Sequence, residues 1–226
     1  MSRRRPRFSP VLFDLDGTLL ETRRDIATAA NLVLAEMGLP QLPPEEVSGY
    51  VGRGARVLMS RCIERASGAA PSDSGVESAF SAFRRHYALH MCDTTLPYPG
   101  IFGLLDRLKE AGVPMAVVTN KPEDLSYRMT ERLGLSAYFS FIVGGETLPR
   151  RKPDPAPLIC ALERFGAGEN PLMVGDSTID IEAARAAGIP VAAVAWGFGP
   201  RDEVIEARPD FIVEDPAELE TLILGL

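Results

Sequence analysis

The second half of this chain alternates between short apolar runs and longer amphipathic segments, and this alternation constrains the fold more than any other feature. The apolar runs are predicted as strands at 114–118, 139–143, 172–174, 191–195 and 211–213. The segments around them are predicted as helices at 101–111, 123–133, 155–165, 179–187, 201–207 and 216–224. Strands that are apolar on both faces need cover on both faces. The pattern therefore predicts an α/β fold with a doubly wound parallel sheet.

An all-helical segment separates the first strand of the chain from this alternating part. Residues 21–94 combine helical spacing with Pro- and Gly-rich connections, and no strand pattern interrupts them. We therefore predict a core domain made of residues 1–20 and 95–226, with a helical domain inserted at 21–94. The connections at 20–22 and 94–100 are the expected hinges of this insert.

The first apolar run, which starts at Val11, ends in two aspartates that a buried strand would not carry without a reason. Alternate side chains of an extended chain share a face, so Asp14 and Asp16 are expected to point the same way at the strand tip. Two like charges in that position repel each other, and each costs desolvation. A divalent cation would remove this cost, and a carboxylate beside such a cation can attack phosphorus. The alternative is an ordinary Asp-Gly turn after the strand.

Three later strand ends also carry polar side chains that are suited to chemistry. Each alone has a simpler explanation as a helix cap or a solvated loop. In a parallel sheet, however, the carboxyl ends of the strands meet at one edge, which is where the site of such a fold lies. The residues concerned are Thr119 with Asn120, Lys152, and Asp176 with Asp180.

Charge and composition argue against several classes of function. With a net charge of -7 and a pI near 5.0, the chain is not expected to bind nucleic acid or an anionic membrane broadly. The basic tip from Arg3 to Arg7 is predicted to be a frayed, solvated terminus. No apolar stretch reaches the roughly 18 residues of a membrane span, and the tip lacks the apolar core of a secretory signal. The three widely spaced cysteines form no disulfide or metal pattern, which predicts a cytoplasmic protein.

Taken in order, the four polar strand ends resemble the four motifs of the haloacid dehalogenase superfamily of phosphohydrolases. The motifs are Asp14-Leu-Asp-Gly-Thr18, Thr119-Asn120, Lys152-Pro153 and Gly175-Asp-Ser-(x)3-Asp180. The resemblance covers nearly the whole chain and implies a Rossmann-like core with a helical cap of the C1 type at 21–94. The stretches similar to the phosphoglycolate phosphatases of this superfamily are Tyr50-Val-Gly-Arg-Gly54, Thr119-Asn-Lys-Pro122 and Ala195-Trp-Gly-Phe-Gly199.

The resemblance implies a role for each aspartate. Asp14 would be the nucleophile that forms an aspartyl-phosphate, and Asp16 would be the general acid and afterwards the general base. A carboxylate oxygen of Asp14, the backbone carbonyl of Asp16 and the side chain of Asp176 would hold Mg²⁺. Asp180 would support this metal site without binding the ion directly, through hydrogen bonds to its ligands or through a water molecule. A carboxyl group at Asp16 implies an oxygen leaving group, which argues against dehalogenation.

The resemblance also implies how a phosphorylated substrate is bound. Thr119, the backbone of Asn120 and the side chain of Lys152 would bind the phosphoryl oxygens. Lys152 would in addition reduce the negative charge at the nucleophile as the substrate approaches. Apart from the resemblance, Arg53 in the glycine loop of the inserted domain is either a residue that binds a substrate carboxylate through two hydrogen bonds or a surface arginine on a mobile loop.

The resemblance implies a Mg²⁺-dependent phosphomonoester hydrolase that acts on a small metabolite, foremost 2-phosphoglycolate, as a monomer or homodimer. Charge and composition predict no nucleic-acid or membrane partner. Hydrolysis of another small ester, such as a sugar phosphate, and phosphomutation are the nearest alternatives. A phosphoacceptor signalling domain is an alternative from another class, although Asp16 and the helical insert argue against it.

Two interpretations of single residues stay open. Lys121 is either a surface charge or a site residue, and Trp196 either packs in the core or forms a wall of the site.

Overall fold

The structure is a computed structural model that describes residues 5–166 and 169–226. Within these residues the chain divides into two compact units. The core unit comprises the described residues up to Glu21 together with Pro97–Leu226, and the inserted unit is Thr22–Leu96. The inserted unit starts one residue later and ends two residues later than the boundaries drawn from the sequence. Arg3 and Arg4 of the basic tip lie outside the described residues.

The core unit is built on a parallel sheet of six strands. The strands of the described residues are β1 (Val11–Phe13), β2 (Leu20–Glu21), β3 (Leu96–Pro97), β4 (Met115–Val118), β5 (Ile142–Val143), β6 (Leu172–Gly175), β7 (Val191–Val194) and β8 (Phe211–Val213). The order in the main sheet is β5-β4-β1-β6-β7-β8, and every neighbouring pair is parallel. The chain thus adds strands on one side of β1 and then, from β6 onward, on the other side. This confirms the predicted doubly wound sheet and puts the end of β1 at its centre.

Helices precede or follow each strand of the main sheet. The helices of the described residues are α1 (Arg23–Glu36), α2 (Pro44–Ser48), α3 (Ala55–Ser67), α4 (Asp73–His90), α5 (Ile101–Glu110), α6 (Glu123–Arg132), α7 (Ala156–Phe165), α8 (Thr178–Ala187), α9 (Arg201–Glu206) and α10 (Pro216–Leu224), with a 3-10 turn at Ser136–Tyr138. The six helices from α5 to α10 begin and end within one residue of the predicted positions. None of the described helices has both the length and the apolar character that crossing a bilayer requires.

The register of the central strands aligns the carboxyl ends of β1, β4 and β6. Phe13 of β1 lies opposite Val117 of β4 and Val174 of β6. The N–H of Asp14 then donates to the carbonyl of Val174 at 2.9 Å, so the ladder continues to the first residue after β1. The strands of this centre are fully buried, as their continuous apolar sequence predicts. The residues that follow β1, β4 and β6 therefore share one edge of the sheet.

The predicted strand at 139–143 is wrong over its first part. Regular strand geometry is confined to its last two residues, which form β5 beside β4. The ring of Phe139 instead meets Phe13 edge-on, with centroids 6.2 Å apart. Phe141 packs against Phe165 at 4.8 Å. Backbone hydrogen bonds nevertheless join Ser140 to Met115 at 2.8 Å and Phe141 to Val117 at 3.2 Å, so the run follows β4 for two residues before β5 begins. The strands β2 and β3, which form a separate two-stranded sheet, were not predicted because two residues have no periodicity.

The inserted unit contains α1 to α4, and one buried carboxylate joins its two ends. Asp25, in the first turn of α1, accepts the N–H and the hydroxyl of Thr94 at 3.1 and 2.7 Å. It also accepts the N–H and the hydroxyl of Thr95 at 2.8 and 2.7 Å. Burial alone would raise the pKa of Asp25, but these hydrogen bonds outweigh it and hold the pKa below its ordinary value. The carboxylate thus stays charged and clamps the start of the unit to its end.

Candidate active site

Asp14 follows β1 directly, and its carboxylate lies at the centre of the sheet edge. Its Oδ1 atom accepts the N–H of Leu15 at 2.7 Å and lies 3.0 Å from Nζ of Lys152. The side chain of Asp14 is 13% exposed, whereas that of Lys152 is only 2% exposed. One oxygen is thus fixed by two donors while a small part of the group stays open to solvent. This arrangement suits a nucleophile.

Lys152 is the buried cation of this edge. Its Nζ atom donates to the carbonyl of Val118 at 2.7 Å and to Oδ1 of Asp180 at 2.6 Å, besides its contact with Asp14. Burial alone would lower the pKa of Lys152, but the charges of Asp14 and Asp180 outweigh it and raise the pKa above its ordinary value. The ammonium group therefore stays charged and can attract a phosphate dianion.

Asp176 and Asp180 join Asp14 in a cluster that we call the three-carboxylate cluster. One oxygen from each of these aspartates lies within 4.8 Å of the other two. Oδ2 of Asp180 accepts the N–H and the hydroxyl of Ser177 at 3.2 and 2.7 Å, in a capping box at the start of α8. Since Lys152 takes the other oxygen, Asp180 has donors on both oxygens. Asp180 therefore fixes the ammonium group of Lys152 and the start of α8 next to each other.

The three-carboxylate cluster carries more charge than Lys152 neutralises. Burial is the largest cause that raises the pKa of Asp176, and with the charges of Asp180 and Asp14 it brings the pKa to about 8. Burial also raises the pKa of Asp14 to about 6, although Lys152 opposes the rise. When all three acids are ionised, one ammonium group leaves two negative charges of this cluster without a counter-charge. Such an all-oxygen donor set fits a hard divalent cation.

Glycines provide the space that Asp176 and Asp180 occupy. A Cβ atom on Gly197 would lie 2.1 Å from Cβ of Asp176, and one on Gly175 would lie 2.4 Å from Cβ of Asp180. Gly17 has a φ of +84°, and a Cβ atom there would lie 2.3 Å from Oδ2 of Asp176. Only glycine fits at these positions without a shift of the acids. The loop after β7, which contains Gly197, is therefore part of the site.

Asp16 is not a member of the three-carboxylate cluster and pairs with a second buried lysine. Nζ of Lys121 donates to both carboxylate oxygens of Asp16, at 2.8 and 3.0 Å. The side chain of Lys121 is 3% exposed and that of Asp16 is 14% exposed. Lys121 is thus a residue of the site and not a surface charge. The expected contribution of Asp16 to a metal site rests on its backbone carbonyl and stays a prediction.

The loop after β4 brings Thr119 and Asn120 to the same edge. Oγ1 of Thr119 accepts the N–H of Lys121 at 3.2 Å, and the side-chain amide of Asn120 donates to the carbonyl of Lys152 at 2.8 Å. Asn120 thereby joins the loop after β4 to the loop that carries Lys152. The phosphoryl-binding roles of Thr119 and Asn120 stay predictions.

Trp196 braces the turn that follows Asp16. Its indole N–H donates to the carbonyl of Thr18 at 3.0 Å, and its ring meets that of Tyr98 edge-on with centroids 6.5 Å apart. The hydroxyl of Thr18 in turn donates to Oδ1 of Asp176 at 3.3 Å. Trp196 therefore acts on the site through the backbone of this turn.

The roles of Lys121, Gly175 and Gly197 were not predictable from their residue types and positions. Lys121 follows the polar strand end at Thr119 and lies in the stretch Thr119-Asn-Lys-Pro122, and these were the two signals that it belongs to the site. Gly175 is the last residue of β6 and Gly197 lies three residues after β7, and glycine at such positions indicates close backbone approach. None of these signals reveals which atoms come close.

Comparison with known proteins places this geometry in context. Residues 11–194 match the family model described as haloacid dehalogenase-like hydrolase. The chain is 39% identical over 214 residues to a phosphoglycolate phosphatase of Thiobacillus denitrificans, a match that covers 94% of each protein. It is equally identical to a phosphoglycolate phosphatase of Aquifex aeolicus, with 94% of this chain and 95% of the relative covered. Among solved structures, one described as a predicted phosphoglycolate phosphatase from Haemophilus somnus 129pt superposes with a TM-score of 0.88 at 33% identity, covering 94% of this chain and 96% of that one.

Proposed function

The chain belongs to the haloacid dehalogenase-like hydrolases, and we propose that within this family it is a phosphatase whose substrate is 2-phosphoglycolate. The observation that carries the proposal is the pair of lysine-bound aspartates after β1. Asp14 lies in the three-carboxylate cluster against Lys152, whereas Asp16 lies outside it against Lys121. One carboxylate is thus suited to attack phosphorus and the other to move a proton. The relatives named phosphoglycolate phosphatase, which match along nearly their whole length, support the substrate.

The first step transfers the phosphoryl group to the enzyme. A carboxylate oxygen of Asp14 forms a bond to phosphorus while the bond between phosphorus and the glycolate oxygen breaks. The proton of the Asp16 carboxyl group goes to that oxygen, so glycolate leaves as an alcohol. Lys152 balances the charge of the incoming phosphate, and Thr119 with the backbone of Asn120 orients its oxygens.

The second step returns the enzyme to its starting state. A water molecule attacks the phosphorus of the aspartyl-phosphate, Asp16 accepts the proton of that water, and the bond to the Asp14 oxygen breaks. Inorganic phosphate is the product. Asp14, Asp176 and the backbone carbonyl of Asp16 would hold Mg²⁺, and Asp180 would support them. When bound, this ion supplies further neutralisation of the phosphoryl charge.

Arg53 is the residue that we propose to recognise the carboxylate of 2-phosphoglycolate. It is exposed, in a bend between Gly52 and Gly54, both of which have positive φ. Glycines on both sides leave the guanidinium group room to orient toward a ligand, and Arg pairs with carboxylates through two hydrogen bonds. The recognition of a second anionic group would separate this substrate from neutral alkyl phosphates.

We expect the Arg53→Ala substitution to lower kcat/KM for 2-phosphoglycolate by about 10- to 100-fold, because it removes a charge-assisted hydrogen-bonded pair. Its kcat/KM for ethyl phosphate, which has no carboxylate, should stay within about threefold of the wild-type value. The measurement is phosphate release in the presence of Mg²⁺. Arg56→Ala is the matched control, because Arg56 lies in the same unit and pairs with Glu77 at 2.6 Å.

Other outcomes of this panel would change the assignment. Equal losses on both esters would remove Arg53 as the carboxylate-binding residue. A higher kcat/KM of the wild type for a sugar phosphate than for 2-phosphoglycolate would replace the substrate. An isomerised phosphate as the main product, formed only with a bisphosphate present, would favour a phosphomutase. A persistent aspartyl-phosphate with negligible turnover would favour a signalling phosphoacceptor.

Metal-free protein should become less stable as pH rises from about 5 to 8.5, and Mg²⁺ should reverse this loss. The pKa values of Asp14 and Asp176 rise from an ordinary 3.8 to about 6 and about 8. The folded state therefore holds protons that the unfolded chain has released, and the stability from this source is lost as pH rises through those values. A cation at 100 times its Kd would add about 2.7 kcal/mol. Since it binds the deprotonated acids, its effect should grow with pH.

This prediction is checked by thermal unfolding in EDTA and in Mg²⁺ at several pH values. The comparison is between wild type and Asp176→Asn, because other groups also contribute to the pH dependence of both proteins. The difference in midpoint between the two metal-free proteins should change with pH. A difference that is constant from pH 5 to 8.5 would contradict the assignment of the excess charge to this cluster.

We also propose that the enzyme works in the cytoplasm on a small phosphorylated metabolite, as a monomer or homodimer, without nucleic-acid or membrane partners. Among the described residues no disulfide is formed, which is compatible with a reducing compartment. The excess of acidic over basic side chains disfavours polyanionic partners.

A further inference from the structure

Lys121 is fixed at its backbone as well as at its ammonium group. Its N–H donates to Oγ1 of Thr119 at 3.2 Å, and its carbonyl accepts the N–H of Gly145 at 2.8 Å. A Cβ atom on Gly145 would lie 2.3 Å from the carbonyl oxygen of Asn120, so the loop after β5 packs directly on the loop after β4. Lys121 therefore projects from a backbone that has little freedom to move.

The contact between Lys121 and Asp16 is not an ordinary surface ion pair. Both side chains are largely buried, and a buried lysine gives up its hydration and most of its rotamer freedom. Lys121 pairs with Asp16, whereas Lys152 contacts Asp14 and Asp180 of the three-carboxylate cluster. Each of the two aspartates after β1 thus has its own buried cation.

The geometry of this pair limits the rotation of one carboxylate. The terminal torsion of an aspartate side chain is broad, so an isolated carboxylate samples many orientations. Lys121 donates to both oxygens of Asp16, at 2.8 and 3.0 Å, which fixes the plane of the group. A proton donor that is misplaced by about 1 Å can cost 10²-fold in rate.

We propose that Lys121 is a positioning residue, which holds the carboxylate of Asp16 where the leaving oxygen of the substrate departs. The inference rests on the proposed function, because it gives Asp16 the role of proton donor. In that step the bond between phosphorus and the leaving oxygen breaks, and the proton of Asp16 goes to that oxygen. Lys121 itself neither gains nor loses a proton and touches no reacting atom.

The test uses the dependence of the first step on the leaving group. Rapid-quench experiments with saturating substrate and Mg²⁺ measure the rate at which the Lys121→Met variant forms the aspartyl-phosphate, which acid traps. For 2-phosphoglycolate and ethyl phosphate, whose alkoxides need a proton, the rate should fall about 100-fold. For p-nitrophenyl phosphate, whose phenolate leaves without one, it should fall less than about threefold. Lys109→Met, which removes an exposed lysine that donates to the carbonyl of Ala137 at 3.0 Å, is the control.

A double-mutant cycle keeps the test valid if the single variant folds poorly. The Asp16→Asn/Lys121→Met pair leaves no unpaired charge, and its rates for all three esters should equal those of Asp16→Asn within about threefold. Lys121→Arg, which can also donate to both oxygens, should recover part of the alkyl ester rate.

Several results would overturn the inference. These are equal losses on all three esters, a loss confined to 2-phosphoglycolate, or a further 100-fold loss when Lys121→Met is added to Asp16→Asn. The second of these would instead make Lys121 a carboxylate-binding residue. A wild-type protein that forms no aspartyl-phosphate from any ester would refute the proposed function itself, which this experiment separates from the failure of the positioning role.

Discussion

The Asp14→Asn variant is expected to lose more than about 10⁴-fold in kcat for every phosphate ester, because the amide cannot form the aspartyl-phosphate. Its stability should not fall. Burial already disfavours the charge on Asp14, as its pKa of about 6 shows, so a neutral side chain of the same shape is tolerated. Rapid quench should detect no acid-stable phosphoenzyme in this variant. Thermal unfolding at pH 8 should give a midpoint at or above that of the wild type.

The matched control for this variant is Asp106→Asn. Asp106 lies on α5, accepts the hydroxyl of Tyr138 at 2.7 Å, and is remote in sequence and fold from β1. This change should leave kcat within about twofold of the wild-type value. Retention of more than about 1% of the activity by Asp14→Asn would refute the assignment of Asp14 as the nucleophile.

The Lys152→Met variant is expected to lose both activity and stability. Removing this ammonium group leaves Asp14 and Asp180 without their shared cation in a buried position. Breaking a buried ion pair on one side costs about 3–5 kcal/mol. The activity should fall by about 10³-fold or more, since the phosphate loses a fixed counter-charge. Urea unfolding and steady-state phosphate release give the two quantities.

A second substitution separates the two effects of Lys152→Met. Asp180→Asn removes one of the uncompensated charges while its side-chain oxygen can still accept the donors of Ser177. The Lys152→Met/Asp180→Asn variant should therefore recover about half of the lost stability and none of the lost activity. If activity returned together with stability, Lys152 would have a structural role only.

The chemistry of the strand ends was predictable from the sequence because it depends on order and on a property of parallel sheets. Asp14, Thr119 and Asp176 directly follow β1, β4 and β6, and Lys152 lies in the loop between β5 and α7. The carboxyl ends of parallel strands share an edge. The helices from α5 onward were equally predictable, since each combines a 3.6-residue period with a Pro or Gly boundary. These are local patterns, which can be recognised in the amino-acid sequence without knowledge of the fold.

The partners of the charged groups were not predictable, because they depend on which loops touch. Nothing in the sequence says that Lys121 faces Asp16, 105 positions away, while Lys152 faces Asp14 and Asp180. The same holds for the 139–143 run, where a pattern of alternating Phe residues describes ring packing as well as it describes a strand. Such contacts follow from register and loop geometry, which arise only when the sheet is assembled.

The clamp at Asp25 has a consequence for how this protein can change over evolutionary time. Because one carboxylate holds Thr94 and Thr95 next to the start of α1, the segment between them leaves and returns to the chain at nearly the same point. A segment with adjoining ends can be lengthened, shortened or exchanged with only a short splice. Selection for a new ligand can then change this segment, while the residues at the sheet edge that carry out the reaction stay the same.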